Sequence, residues 1–176
     1  MPLTTPRLIL RSWRAADRAP LAAITADAHT MRFFLSGRTR AQSDAWMERA
    51  QAHIDRHGFG IWAAELPGTG LIGFVGISTI PADVPMPPGV ELVWTLGAAW
   101  WGHGYAPEAA HAAAADGFTR LGLAELVAFT AAVNAPSRRV MEKLGMHLDP
   151  LVSFDHPRVP PGHLLARHVV YRLARP

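Results

Sequence analysis

The segment from Val90 to Pro107 constrains what this chain can fold into more than any other part of the sequence. An apolar run, Val90–Leu96, is followed by Gly102-His103-Gly104 and then by an alanine-rich stretch. Alternate glycines allow a tight turn in which successive backbone N–H groups converge on one point. A helix after the turn adds unpaired N–H donors and the positive end of its dipole, and Pro107 suits its first turn. The segment therefore predicts a strand, an anion-binding turn and a helix, with a phosphate-bearing ligand.

Composition places the chain among globular proteins. Its 176 residues are 49% hydrophobic and 18% charged, which is consistent with one domain over residues 1–176. No run approaches the roughly 20 apolar residues of a membrane span, and no signal peptide is evident, so we expect a cytoplasmic protein without a membrane partner. The absence of cysteine excludes a cysteinyl acyl-enzyme. Because the net charge is only +3 and the arginines are scattered, we expect no nucleic-acid partner.

Hydrophobic periodicity and turn residues predict about seven strands and about four helices. The predicted strands are 7–13, 59–66, 71–80, 90–96, 123–133, 146–154 and 164–173, and the predicted helices are 15–28, 39–57, 106–121 and 136–144. The proline-rich segment 81–89 is predicted to be a loop. Since hairpins precede strands that are joined by helices, we expect an α/β domain with a mixed, mostly antiparallel sheet and helices on its faces.

Three segments resemble the GCN5-related N-acetyltransferase (GNAT) family. Trp101–Ala106 after a strand is similar to its acetyl-CoA signature. Asn134–Met146 and Thr5–Arg11 resemble the second signature and the first strand of its ribosomal-protein N-acetyltransferase branch. The resemblance spans nearly the whole chain and implies the acyl-CoA N-acyltransferase fold. It also implies acetyl transfer from acetyl-CoA to a primary amine, in a ternary complex and without a metal.

The resemblance implies which residues hold acetyl-CoA. Backbone N–H groups of Gly102–Ala106 would hold the pyrophosphate, Asn134 would contact the pantetheine arm, and nearby cations would meet the phosphates. The expected cofactor-binding residues are Leu96, Trp101, Gly102, His103, Gly104, Tyr105, Ala106, Asn134, Ser137, Arg139 and Lys143. The alternatives are an ordinary strand-to-helix turn, helix capping by Asn134 and Ser137, and solvated cations. A dinucleotide-binding fold is disfavoured because Pro107 stands where its third glycine would be.

Two residues are the expected catalytic groups. Glu91 is the only carboxylate in Val90–Trp94 and is the candidate base, acting through a water; its structural alternative is pairing with an arginine such as Arg11. Many family members place a tyrosine acid where this chain has Met141, so Ser137 is the expected proton donor to the leaving thiolate. Ala99 and Met146 also depart from the family pattern. The missing tyrosine keeps a non-catalytic acyl-CoA-binding module as an alternative.

The acceptor and the oligomeric state follow from the resemblance alone. It favours the N-terminal α-amine of a protein, with a small amine such as an amino acid, polyamine or aminoglycoside as the alternative, and it makes a homodimer the expected assembly. The candidate acceptor-binding residues are Phe34, Asp155, His156 and His168, for which core or turn roles remain alternatives. His53 and His57 have the spacing of a metal pair, but no third ligand is evident and a solvated helix face is expected.

Overall fold

The computed structural model describes residues 2–176 and contains one eight-stranded sheet and four α-helices. In chain order the strands are β1 Leu3–Thr4, β2 Ile9–Arg11, β3 Ile61–Leu66, β4 Gly70–Thr79, β5 Val90–Leu96, β6 Glu125–Ala131, β7 His147–Asp155 and β8 Arg167–Ala174. The helices are α1 Arg18–Ala26, α2 Arg40–His57, α3 Tyr105–Thr119 and α4 Ala135–Lys143. No helix within residues 2–176 is long and apolar enough to cross a membrane.

The sheet is mixed and mostly antiparallel, as predicted. Its strands lie in the order β1-β2-β3-β4-β5-β6-β8-β7, and only the neighbours β5 and β6 run parallel. The predicted strand 90–96 coincides with β5. The predicted first strand, 7–13, is shorter in the structure, and β1 was missed because two residues carry no periodicity. The predicted helix 15–28 begins with a 3-10 turn at Ala15–Asp17 and becomes α-helical at Arg18.

Helix α2 has well-defined signals at both ends. The Thr39 hydroxyl accepts the Gln42 N–H at 3.2 Å, and the Gln42 side chain accepts the Thr39 N–H at 2.9 Å. This reciprocal pair satisfies two donors that the first turn would otherwise leave free. Gly58, with φ 72°, ends the helix in the left-handed conformation. The local sequence therefore fixes the length of α2, which covers part of one face of the sheet.

The two faces of the sheet are covered differently. One face packs against α3 and α4 in the largest apolar cluster, which includes Leu92 and Leu96 of β5. The opposite face carries two separate clusters: one beneath α1 and α2 around Phe74, and one beside the loop 81–89 around Val127. Because side chains alternate along a strand, Glu91 shares the second face with Val93. Glu91, the only carboxylate of β5, thus lies on the face that is covered partly by α1 and α2 and partly by the loop 81–89.

Candidate active site

The glycine turn after β5 presents free backbone donors. Gly102 and Gly104 have φ values of 81° and 80°, which glycine adopts without strain. Among residues 2–176, the N–H groups of residues 102–106 donate to no backbone carbonyl. A Cβ built at Gly102 would meet nothing within 4 Å, so the turn is open on that side. Since α3 starts at Tyr105, its positive end adds to the field, and the turn is suited to bind an anionic group such as a phosphate.

The turn is held in place by the first segment of the chain. The Arg7 guanidinium donates to the His103 carbonyl at 2.9 Å and to the Glu108 carboxylate at 2.7 Å. The Thr5 hydroxyl also donates to Glu108, at 2.6 Å. Arg7 further lies 4.6 Å from the centroid of the Tyr105 ring. Two of the segments that carry the family resemblance therefore contact each other through Arg7 and His103, which lie 96 residues apart in the sequence.

The loop between α1 and α2 contacts Trp101, which directly precedes the glycine turn. The Arg32 guanidinium lies 4.6 Å from the centroid of Trp101, and the indole N–H of Trp101 donates to the Leu96 carbonyl at 2.7 Å. The same loop carries Phe34, one of the candidate acceptor-binding residues. Phe34 itself is 47% exposed. Arg32 therefore adds a cation beside the turn, and no sequence pattern indicated this contact.

Asn134 and Ser137 begin α4 where β6 ends. The Asn134 amide oxygen accepts the Ser137 N–H at 3.2 Å, and its nitrogen donates to Thr130 at 2.9 Å. Asn134 therefore caps the helix, whatever else it binds. Parallel strands β5 and β6 pair at Glu91 and Val127, and their carboxyl ends lead to the glycine turn and to Asn134. Arg139 and Lys143, farther along α4, are exposed.

Glu91 lies on β5 at the point where this strand pairs with β6, and its side chain is largely removed from water. Burial raises its pKa from 4.5 to about 7, although the charge of Arg158 opposes the change. The structural alternative, pairing with Arg11, is wrong. Arg11 instead forms a two-bonded ion pair with Asp17, at 2.7 and 2.8 Å, and also binds Glu65. Glu91 is thus a largely buried carboxylate to which no arginine of residues 2–176 is bonded, with a pKa suited to proton exchange near neutrality.

Two of the predicted acceptor residues, His156 and His168, lie next to the apolar cluster beside the loop 81–89, and Asp155 does not join them. His156 and His168 lie 4.9 Å apart between ring centroids and pack with Phe129 and Phe154. Burial lowers the pKa of both histidines, and for His156 the charges of His168 and Arg158 lower it further. Asp155 instead lies exposed, 3.6 Å from Arg167. Asp155 therefore lies outside the aromatic cluster, although its charge opposes the lowering of the His168 pKa.

Comparison with known proteins identifies the family. The family model described as "Acetyltransferase (GNAT) domain" matches residues 7–147. The uncharacterized protein YkkB of Bacillus subtilis is 31% identical over 147 residues, which cover 82% of this chain and 84% of YkkB. The chain belongs to the GNAT acetyltransferase family. It is an acetyl-CoA-dependent N-acetyltransferase, which transfers the acetyl group to an amine.

Solved structures share the fold of this acetyltransferase. The GNAT-family acetyltransferase from Bacillus anthracis superposes with a TM-score of 0.81 at 23% identity, covering 99% of this chain and 98% of that chain. The ribosomal-protein-S5-alanine acetyltransferase from Vibrio fischeri gives a TM-score of 0.76 at 15% identity, covering 99% and 96%. The predicted GNAT fold is therefore confirmed over nearly the whole chain.

One pocket of the acetyltransferase was missed by the sequence analysis. It has a volume of about 160 Å³ and is lined by Trp46, Arg49, Ala50, His53, Ile61 and Ser78. The predicted solvated helix face is correct for the exposed His57 and wrong for His53, whose Nε2 atom is buried without a partner and whose ring packs on Phe59 at 5.2 Å. Among residues 2–176, no three histidine, aspartate or glutamate side chains are grouped so as to hold a metal.

Proposed function

We propose that the acetyltransferase acetylates the N-terminal α-amine of a protein by direct attack on acetyl-CoA, without an acyl-enzyme. The observation that carries the proposal is the buried Glu91 on β5, with a pKa of about 7. An α-amine has a reference pKa near 8 and a lysine side chain one near 10.4. The pKa of an α-amine is therefore closer to that of Glu91, so proton transfer to Glu91 costs less free energy for an α-amine than for a lysine side chain. The resemblance to the ribosomal-protein branch, and a fold shared with an enzyme named for an alanine of ribosomal protein S5, support the same acceptor.

In this mechanism each proposed catalytic residue handles one proton. Acetyl-CoA supplies the activated acetyl group: the amine nitrogen bonds to the acetyl carbon, and the carbon–sulfur bond breaks. Glu91 accepts the amine proton through a water and returns it to solvent. The Ser137 hydroxyl donates a proton to the departing thiolate and regains one from solvent. The N–H groups of Gly102–Ala106 hold the pyrophosphate throughout, so that only the acetyl end changes.

The remaining site residues have supporting roles in the proposal. Asn134 would position the pantetheine arm with the donor and acceptor capacity that its cap leaves free. Arg139 and Lys143, exposed on α4, would meet cofactor phosphates. His156 and His168 would form the wall of the acceptor cleft on the side of the loop 81–89. Asp155 and Phe34, both exposed, would contact the acceptor farther from the reacting amine.

The test is thiol release from acetyl-CoA with matched peptides. One peptide has a free N-terminus and no lysine, and its twin has a blocked N-terminus and one lysine. We expect release, and acetylation detected by mass spectrometry, only with the first peptide. Polyamines and aminoglycosides form a third arm. Acetylation of these, or of the lysine peptide, with none of the free N-terminus would overturn the proposal.

A further inference from the structure

Beside α2, cationic and polar side chains collect without an acidic partner. The Nη1 atom of Arg38 is buried and has no hydrogen-bond partner, and the same holds for Nε2 of His53. The ion pairs of α2 are made through Arg40, Asp44 and Glu48, and among residues 2–176 none of them includes Arg49. A buried polar atom without a partner costs free energy. For His53, which lines the pocket described above, a ligand that supplies the missing partner would remove this cost.

Arg38, Arg49 and His53 lie at or next to the pocket of about 160 Å³ described above. Arg49 and His53 line it directly, and the guanidinium of Arg38 lies 4.8 Å from the centroid of Trp46, which lines it too. Burial lowers the pKa of Arg38, and the charge of Arg49 adds to this effect. The two arginines are therefore close enough to repel each other. An anion in the pocket would relieve that repulsion.

The pocket adjoins the proposed base. Ser78 lines the pocket and is paired with Glu91 across the antiparallel strands β4 and β5. Directly opposed residues lie on the same face of a sheet, with Cα atoms about 4.5–5.5 Å apart. An acceptor whose amine reaches Glu91 can therefore place a group a few ångströms away into the pocket. Arginine binds carboxylates through two parallel hydrogen bonds, and a neutral imidazole can donate a third.

We propose that this pocket binds a carboxylate of the acceptor, so that the preferred substrate is an amine that carries a carboxylate close to it. The inference rests on the proposed function and refines its acceptor. The carboxylate has two sources: the side chain of an acidic residue next to a protein N-terminus, or the carboxylate of a free amino acid. Arg49 binds it, and Arg38 adds positive potential from behind Trp46.

The test uses acceptors that differ only in one carboxylate. Peptides beginning Ala-Glu and Ala-Gln form one pair, and free alanine with alaninamide forms the other. In the pair that the enzyme acetylates, we expect kcat/KM to be at least about tenfold higher for the acceptor that carries the carboxylate. A hydrogen bond to a charged group contributes enough free energy for this factor. Arg49→Gln should bring the ratio close to one, mainly through KM. Arg40→Gln removes the same charge from an exposed position of the same helix and should keep the ratio.

Equal kcat/KM for both members of both pairs would overturn the inference, and so would a ratio that survives Arg49→Gln. A binding measurement separates this result from failure of the proposed function. Calorimetric titration with the N-acetylated Ala-Glu peptide in the presence of coenzyme A needs no turnover. Binding by the wild type that weakens about tenfold in Arg49→Gln supports the pocket even if no thiol is released. Equal binding by both proteins overturns it.

Arg38→Met tests why a buried, unpaired guanidinium is present. If Arg38 serves the ligand, its removal should leave the melting temperature of the ligand-free protein unchanged or higher, because an uncompensated charge is lost. The same variant should lower the preference for the acidic acceptor. A lower melting temperature with an unchanged preference would make Arg38 a structural residue and overturn its role in the pocket.

Discussion

At the scale of single residues, the burial of Glu91 connects catalysis with pH. A base must be unprotonated, so kcat/KM of the wild type should rise with pH through about 7. Glu91→Gln should lower kcat by about a hundredfold or more, flatten this limb of the profile and leave the acetyl-CoA affinity largely intact. The measurement is a pH–rate profile of both proteins, with calorimetry for acetyl-CoA. An unchanged profile in the variant would exclude Glu91 as the base.

The same carboxylate gives a control that does not depend on turnover. Its pKa is raised in the folded state, so folding favours the protonated form. The stabilising contribution is complete below its ordinary pKa of 4.5 and is lost as the pH rises through about 7. Glu91→Gln should therefore be relatively more stable than the wild type at pH 8 than at pH 5. Thermal unfolding at the two pH values measures this difference.

Residues whose chemistry is local could be predicted from the sequence, and those that depend on distant partners could not. Gly102 and Gly104 are recognisable because their conformation belongs to the turn itself. Glu91 stands out because it interrupts an apolar strand. Arg49 and His53 gave no such signal, because nothing in the sequence of α2 indicates a pocket and only the fold brings Ser78 beside them. The same limit made Arg11 a wrong partner for Glu91, because its true partners lie on other elements.

At the scale of elements, strong local signals defined most boundaries. The strand 90–96 was predicted correctly because an apolar run ends at Gly97, and α2 because Thr39 and Gly58 mark its ends. Strand β1 is too short to show a pattern and depends on pairing with β2. The order of the strands in the sheet, with β8 between β6 and β7, depends on pairing between distant segments, which periodicity does not reveal.

The link between α3 and the segment before β2 gives the prediction at this scale. Glu108 in the first turn of α3 binds Thr5 and Arg7, and Arg7 in turn holds the His103 carbonyl. Glu108→Gln keeps the shape but removes the ion pair, which should cost about 1 kcal/mol of stability. Because the turn loses a support, the KM for acetyl-CoA should rise several-fold with little change in kcat. Steady-state kinetics and thermal unfolding measure both; an unchanged KM would show that the turn holds its shape without Arg7.

At the scale of the whole molecule, the free edges of the sheet bear on assembly. Strand β7 is an edge strand, and its pairing with β8 is interrupted between Leu148 and Ser153. Leu151, within this interruption, is 92% exposed, and Leu148 is 44% exposed. Exposed apolar side chains on an unpaired edge favour association with another copy. We therefore propose a homodimer that forms through β7, at the edge beyond β8 and away from the glycine turn.

Leu151→Lys should convert this dimer into a monomer, because a charge would be buried at the centre of the contact. Light scattering coupled to size-exclusion chromatography measures the mass, and His147→Lys, which adds a charge to the exposed start of the same strand, is the control. The proposed catalytic groups lie on β5 and at the start of α4 within one chain, so the monomer should keep most of its turnover. Loss of turnover together with the dimer would mean that the site needs the second copy. A monomeric wild type would exclude the contact altogether.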